Sequence, residues 1–120
     1  MSVLNARVSG FGKQRVGLLG GSFNPAHAGH LYISIEALKR LKLDAVWWLV
    51  SPQNPLKSSK GMASLNVRLL SAHKVALHPR ISVTALEEQI GTRYTIDTVL
   101  RIKQKFPSTR FVWLMGSDNL

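Results

Sequence analysis

No cysteine occurs in the 120 residues, which excludes a disulfide framework and any thiolate metal site, and permits a reducing compartment without requiring one. Acidic residues are scarce: 6 Asp and Glu stand against 16 Lys and Arg, for a formal net charge of +10. A field of that sign attracts anions, whether mononucleotides, triphosphates or nucleic acid. From Ala45 to Leu86 there is no acidic residue at all, while Lys57, Lys60, Arg68, Lys74 and Arg80 fall in that stretch. It reads either as a solvated basic face or as a region whose acidic partners lie elsewhere in a longer chain. Long apolar runs are also missing. The longest, such as Ala45 to Val50, fall far short of the roughly 20 residues a membrane span needs. The N-terminus mixes Asn5, Arg7, Lys13 and Arg15 with small residues and has no apolar h-region, so neither a membrane span nor a signal peptide is expected, and the cytoplasm is the expected location.

What is present fits a compact globular chain, with 45% hydrophobic residues. Residues 1–13 show no period and read as a leader or arm; residues 14–120 read as one domain. Val16 to Leu19 is an apolar run closed by Gly20 and Gly21, a buried strand ended by a glycine turn. Leu31, Ile35, Leu38 and Leu41 then recur at helical spacing. Ala45 to Val50 is a second strand, stopped by Ser51-Pro52, and the segment from Gln53 to Ser64 reads as a loop. A helix from about Leu65 to Leu77, a strand from Ile81 to Leu86, a helix from Thr95 to Phe106 with Ile96, Val99, Leu100 and Phe106 on its stripe, and a strand from Arg110 to Met115 complete the series. Strands alternating with helices at these lengths predict an α/β fold, a doubly wound parallel sheet with helices on both faces. The sequence stops at Asp118-Asn119-Leu120 just after a strand, so a longer native chain is expected.

The segment Gly20-Gly21-Ser22-Phe23-Asn24-Pro25-Ala26-His27-Ala28-Gly29-His30 lies between the first strand and the first helix. Open parallel sheets bind ligands beyond the carboxyl ends of their strands, where helix N-termini offer unpaired N–H groups and partial positive charge. Glycines there allow close backbone approach and unusual conformations. Asn24 is expected as the N-cap with Pro25 at the first helical position, and Gly29 is expected to leave room for an adenine or ribose. His27 and His30, three residues apart, are then on one side of the helix start and can donate hydrogen bonds to phosphate oxygens as charge moves during transfer. A glycine turn or a histidine pair alone is common; their coincidence at this location is what points to a phosphate site.

These residues resemble the first signature of the nucleotidylyltransferase superfamily, which ends in His or Thr, any residue, Gly, His, within a Rossmann-like fold. The doubled glycine, with His27 as the first of the pair, is similar to the nicotinate-mononucleotide adenylyltransferase branch. The resemblance covers Val16 to Leu120. It implies that His27 and His30 are catalytic and that Gly20, Gly21, Ser22, Phe23, Asn24 and Gly29 bind ATP phosphates. It also puts Lys57, in Ser51-Pro52-Gln53-Asn54-Pro55-Leu56-Lys57, and Arg68 near phosphate. Tyr94, Thr95 and Asp97, in a Tyr-Thr segment, and Gly116 and Asp118, in a Gly-x-Asp segment, are implied on the pyridine-nucleotide side. Many relatives have Asp where this chain has Asn24. A second signature, Ile-Ser-x-Thr-x-x-Arg, and a ring-stacking aromatic residue would lie past Leu120.

The implied reaction is transfer of AMP from ATP to nicotinate mononucleotide in NAD biosynthesis, with Mg²⁺ accompanying ATP and no metal ligand from protein side chains. The same transfer to nicotinamide mononucleotide or phosphopantetheine is the nearest alternative. A noncatalytic basic module binding nucleic acid is disfavoured, because Trp47 and Trp48 sit in an apolar strand context; self-association stays open.

Overall fold

The computed structural model describes residues 14–51, 61–85 and 95–114, the last segment by its backbone alone up to residue 98. The elements run β1 (Gln14–Gly21), α1 (Ala28–Arg40), β2 (Ala45–Val50), α2 (Leu65–Val75), β3 (Ile81–Thr84), α3 (Thr95–Lys105) and β4 (Thr109–Leu114). The strands form one sheet in the order β3-β2-β1-β4, and every pairing is parallel. The chain winds outward from β1 through β2 to β3, then returns across the sheet to place β4 on the other side of β1. The crevice at the carboxyl ends of β1 and β4 is therefore the topological switch point, where such sheets bind ligands.

β1 extends past the expected Val16–Leu19. Its ladder with β4 begins at Gln14 and its ladder with β2 continues to Gly21 paired with Val50, so Gly20 and Gly21 are strand residues and not a turn. Trp47 and Trp48 are both buried and, as neighbours in a strand, face opposite sides of the sheet. Trp48 belongs to the core under α1 and α2, with Leu19, Val46, Val50, Ala37, Leu38 and Ala72. Trp47 belongs to the core under α3, with Val16, Leu18, Leu49 and Ile102. There it meets Phe106 and Phe111 edge-on, with ring centroids 5.2 Å and 5.5 Å away. Helices therefore cover both faces, as the alternation predicts.

Two helix faces differ from the apolar stripes. On α1 the buried residues are His30, Ser34, Ala37 and Leu38, whereas Leu41 is exposed and Leu31 and Ile35 are half-buried. The helix presents its small and polar residues to the sheet because Trp48 occupies the space beneath: its Nε1–H donates to Ser34 Oγ at 2.8 Å, and the Ser34 hydroxyl donates to the His30 carbonyl at 2.8 Å. On α3 the fully buried residue is Ile102, while Leu100 is 53% exposed. Ile102 and Phe106 pack on the core beneath α3, and Leu100 lies at least about a third of a turn away from either.

Replacing Trp47 with Ala should therefore cost about 3–5 kcal/mol of unfolding free energy, the range for deleting a buried ring. Leu100→Ala should change it by less than about 0.5 kcal/mol, as surface substitutions do. Urea denaturation of the two variants checks the assignment; a comparable loss in both would place Leu100 in the core.

Candidate functional site: the turn from the first strand into the first helix

Six residues, 22–27, carry the chain from β1 to α1. Phe23 takes a positive φ of 52°, a conformation few non-glycine residues adopt, and its ring is buried. The unusual backbone thus falls on Phe23, whereas Gly20 and Gly21 are extended. Lack of a side chain at Gly20 serves packing: a Cβ there would lie 2.9 Å from the Trp113 ring. The Phe23 ring stacks on Trp48 at 5.2 Å and lies 4.5 Å from the His30 ring. His30 in turn is 4.0 Å from the His27 ring. An aromatic column thus runs from the core through His30, which is 8% exposed, to His27 at the surface.

Asn24 does not cap α1. Its amide N–H donates to the Gly61 carbonyl at 2.9 Å and its Oδ1 accepts from the Ala63 amide at 3.1 Å, which commits the side chain to the approach to α2. The N-cap is His27, and Pro25 precedes the helix. His27 Nδ1 accepts from the Gly29 amide at 3.0 Å, while His30 Nδ1 accepts from the His27 amide at 3.0 Å. The two rings thus perform the reciprocal exchange of a capping box, normally made by a hydroxyl and a carboxamide or carboxylate.

That exchange assigns the tautomer. A neutral imidazole whose Nδ1 accepts must carry its proton on Nε2, so both rings are held as Nε2–H donors beside a helix start. The first turn of α1 contains no acidic residue, so its partial positive charge is not offset from within the helix. Gly29 has a different role from the one expected: a Cβ would come within 2.8 Å of His27 Cε1 and 2.9 Å of Nδ1, so the glycine accommodates the capping imidazole itself.

Arg68 is placed differently from a phosphate-facing side chain. It is 2% exposed; Nε donates to the Ala63 carbonyl at 2.9 Å, and Nη1 donates to the carbonyls of Ser22 at 2.9 Å and Ser51 at 2.7 Å. Burial pushes its pKa below the ordinary arginine value. Of the basic residues in the acid-free stretch, Lys74 and Arg80 are exposed, whereas Arg68 is part of the interior. Ser22 and Asn24 are exposed on the turn. Lys57, Tyr94, Gly116 and Asp118, together with residues 1–13, lie outside the described residues, as do the side chains of Thr95 and Asp97; the backbone places Thr95 and Asp97 in the first turn of α3. Among the described residues no group of three or more His, Cys, Asp or Glu could hold a metal ion, and no helix is long and apolar enough to cross a membrane. The burial of Trp47 and Trp48 removes those two as stacking surfaces for bases.

Sequence reasoning located the turn and both histidines but missed Ser34, Ser71 and Trp48 as their supports. Ser71 Oγ accepts from the Ala26 amide at 3.2 Å; a serine mid-helix leaves no periodic signal.

Comparison with known proteins adds family context. A family model described as cytidylyltransferase-like matches residues 18–120. The chain is 62% identical over 106 residues to a protein of Parvibaculum lavamentivorans named "Probable nicotinate-nucleotide adenylyltransferase", covering 88% of this chain and 53% of the relative. A protein of the same name from Erythrobacter litoralis is 60% identical over 106 residues, covering 88% of this chain and 48% of that one. The chain thus spans about half the length of these relatives. Among solved structures, the Plasmodium falciparum nicotinic acid mononucleotide adenylyltransferase complexed with NaAD superposes with a TM-score of 0.73 at 19% identity, covering 88% of this chain and 53% of that one. At that identity the likeness concerns the fold.

Two substitutions test the turn. Gly29→Ala should leave stability within about 1 kcal/mol, because the helix gain from alanine offsets a lost cap of similar size. The His27 ring should nevertheless leave the cap, seen as a changed Nδ1 nitrogen shift in ¹⁵N NMR; an unaltered shift would contradict the crowding. Asn24→Asp removes the donor to Gly61 and should lower unfolding free energy by about 1 kcal/mol, measured by chemical denaturation.

Proposed function

The chain belongs to the cytidylyltransferase-like family, and from that premise we propose that the whole protein transfers AMP from ATP to nicotinate mononucleotide, yielding deamido-NAD and pyrophosphate in NAD biosynthesis. The observation that carries this reading is the pair of imidazoles at a helix start on the switch point of the sheet, whose Nδ1 atoms accept backbone N–H bonds that fix the ring orientations. The names of the relatives, at 62% and 60% identity, support the choice of acceptor.

In the proposed reaction an oxygen of the mononucleotide phosphate attacks the α-phosphorus of ATP in line. The bond from that phosphorus to the oxygen bridging to the β-phosphate breaks, and pyrophosphate leaves. No protein nucleophile is needed, so the protein contributes positioning and charge stabilisation. His30, fixed by Phe23, Trp48 and the cap, is proposed to donate to an α-phosphate oxygen, with His27 as the outer donor. Gly20, Gly21, Ser22, Phe23, Asn24 and Gly29 shape the turn around the phosphates, and Lys57 is proposed to lie near substrate phosphate. Tyr94, Thr95, Asp97, Gly116 and Asp118 are proposed to meet the pyridine nucleotide.

Nucleotidyl transfer from ATP in this family generally involves a divalent metal, Mg²⁺ in our reading. The described residues offer no cage for it, so it is assigned to the phosphates of ATP as part of the substrate.

The full-length protein should release pyrophosphate with ATP and nicotinate mononucleotide faster than with nicotinamide mononucleotide or phosphopantetheine. Turnover confined to another acceptor would overturn the choice of substrate. His30→Ala should lower turnover by on the order of a hundredfold or more, as removal of a preorganised donor does, and His27→Ala should act in the same direction. Each also loses a cap contact of about 1 kcal/mol, so assays belong well below the thermal midpoint. Unchanged turnover in both variants would remove the histidines from the reaction.

A further inference from the structure

We propose that Arg68 is a positioning residue that braces the β1–α1 turn from beneath and removes backbone carbonyls from the phosphate site, and that it does not itself contact phosphate. This role presupposes the nucleotide site proposed above. The three carbonyls it holds come from three separate segments: Ser22 in the turn, Ser51 at the end of β2, and Ala63 before α2. Ser22 and Ser51 follow directly on the carboxyl ends of β1 and β2, the side of the sheet where an anion would bind. A carbonyl oxygen directed into an anion site repels its occupant; bound to a guanidinium, both oxygens are turned inward and their partial charge is offset.

The brace has further points. Ser71, one turn along α2, donates to the Arg68 carbonyl at 3.0 Å and accepts from the Ala26 amide at 3.2 Å. Asn24 bonds both Gly61 and Ala63. The turn is therefore tied at Ser22, Asn24 and Ala26 to the start of α2, immediately before His27. Among the described residues no carboxylate pairs with Arg68, so its charge is directed entirely to backbone oxygens. The rigid guanidinium plane meets Ala63 through Nε and both Ser22 and Ser51 through Nη1; a lysine ammonium has three donors too, but all on one nitrogen at the end of a flexible stem.

The test uses Arg68→Lys in the full-length protein, with Ser71→Ala as a second, milder variant that removes the Ala26 tether without touching the interior charge. A bracing role predicts a turnover number at least about tenfold lower for Arg68→Lys, with KM for ATP changed less than about threefold, since an interaction lost only in the transition state lowers kcat and kcat/KM together. In nucleotide-free protein, hydrogen exchange at the Ala26 and Gly29 amides should quicken by about tenfold in Arg68→Lys, because exchange reads local opening. At Ala26 it should also quicken, by less, in Ser71→Ala. A raised KM for ATP with kcat unchanged would make Arg68 a direct phosphate ligand and overturn the proposal, as would unchanged exchange in both variants. If the wild-type protein performs no adenylyl transfer, the function above fails, and the exchange measurement alone still decides the brace. Should Arg68→Lys fail to fold, the same exchange measurement on Arg68→Gln, which keeps two N–H donors without the charge, decides it: quickened exchange at Ala26 and Gly29 supports the brace and unchanged exchange overturns it.

Discussion

The chain must leave β1, a strand with a neighbour on each side and a core on each face, and enter α1 within six residues. Every polar group on that short path needs a partner, because the turn rests against the buried Phe23 and Trp48 rings and has little access to water from below. The partners are unusual ones. The amides of the N-cap His27 and of Gly29 go to imidazole nitrogens, the carbonyl of Ser22 goes to a buried guanidinium, and the side chain of Asn24 goes to the lead-in of α2. Each choice satisfies a polar group and fixes one more coordinate of the turn.

The consequence for chemistry lies in what remains after those bonds are made. An exposed histidine rotates and exchanges tautomers; a histidine whose Nδ1 closes a cap does neither without losing the cap. The backbone itself therefore sets the orientations of the His27 and His30 rings, and a side chain fixed in advance is what preorganisation requires of a hydrogen-bonding group. Gly29 and Gly20 serve the same end. A Cβ at either would meet a ring, His27 in one case and Trp113 in the other. Gly20 near the end of β1 and Gly29 in the first turn of α1 are thus explained by side chains of this protein.

Much of this was legible in the sequence, and the parts that were not share a cause. Alternating apolar runs predict the strands and helices because burial enforces period 2 or 3.6, and the parallel sheet follows from their alternation. The histidine pair stood out through its place after a glycine-ended strand. What periodicity cannot register is a polar residue in an apolar position. Ser34 on the inner face of α1 and Ser71 and Arg68 on α2 are buried or half-buried for their hydrogen bonds, and a scan for hydrophobic spacing passes over them. For the same reason the α1 stripe of Leu31, Ile35, Leu38 and Leu41 is rotated from the face actually buried. Asn24 misled because its local context fits a cap, whereas its partners at Gly61 and Ala63 are distant in sequence.

Arg68 also bears on the origin of the basic character. Counting charge along the acid-free stretch treats each cation as equally available to an anionic ligand. The fold separates them: Lys74 and Arg80 are exposed, while Arg68 is enclosed and bonded to carbonyls. A charge enclosed beneath the turn is screened less by salt than one on the surface, and it lies behind the amides and imidazoles that face outward. Lys74, near the end of α2, and Arg80, just before β3, lie at the amino ends of the strands, away from the start of α1. Of these three cations it is Arg68 that sits beneath the turn, bonded to Ser22, and its effect there depends on the packing that keeps it buried.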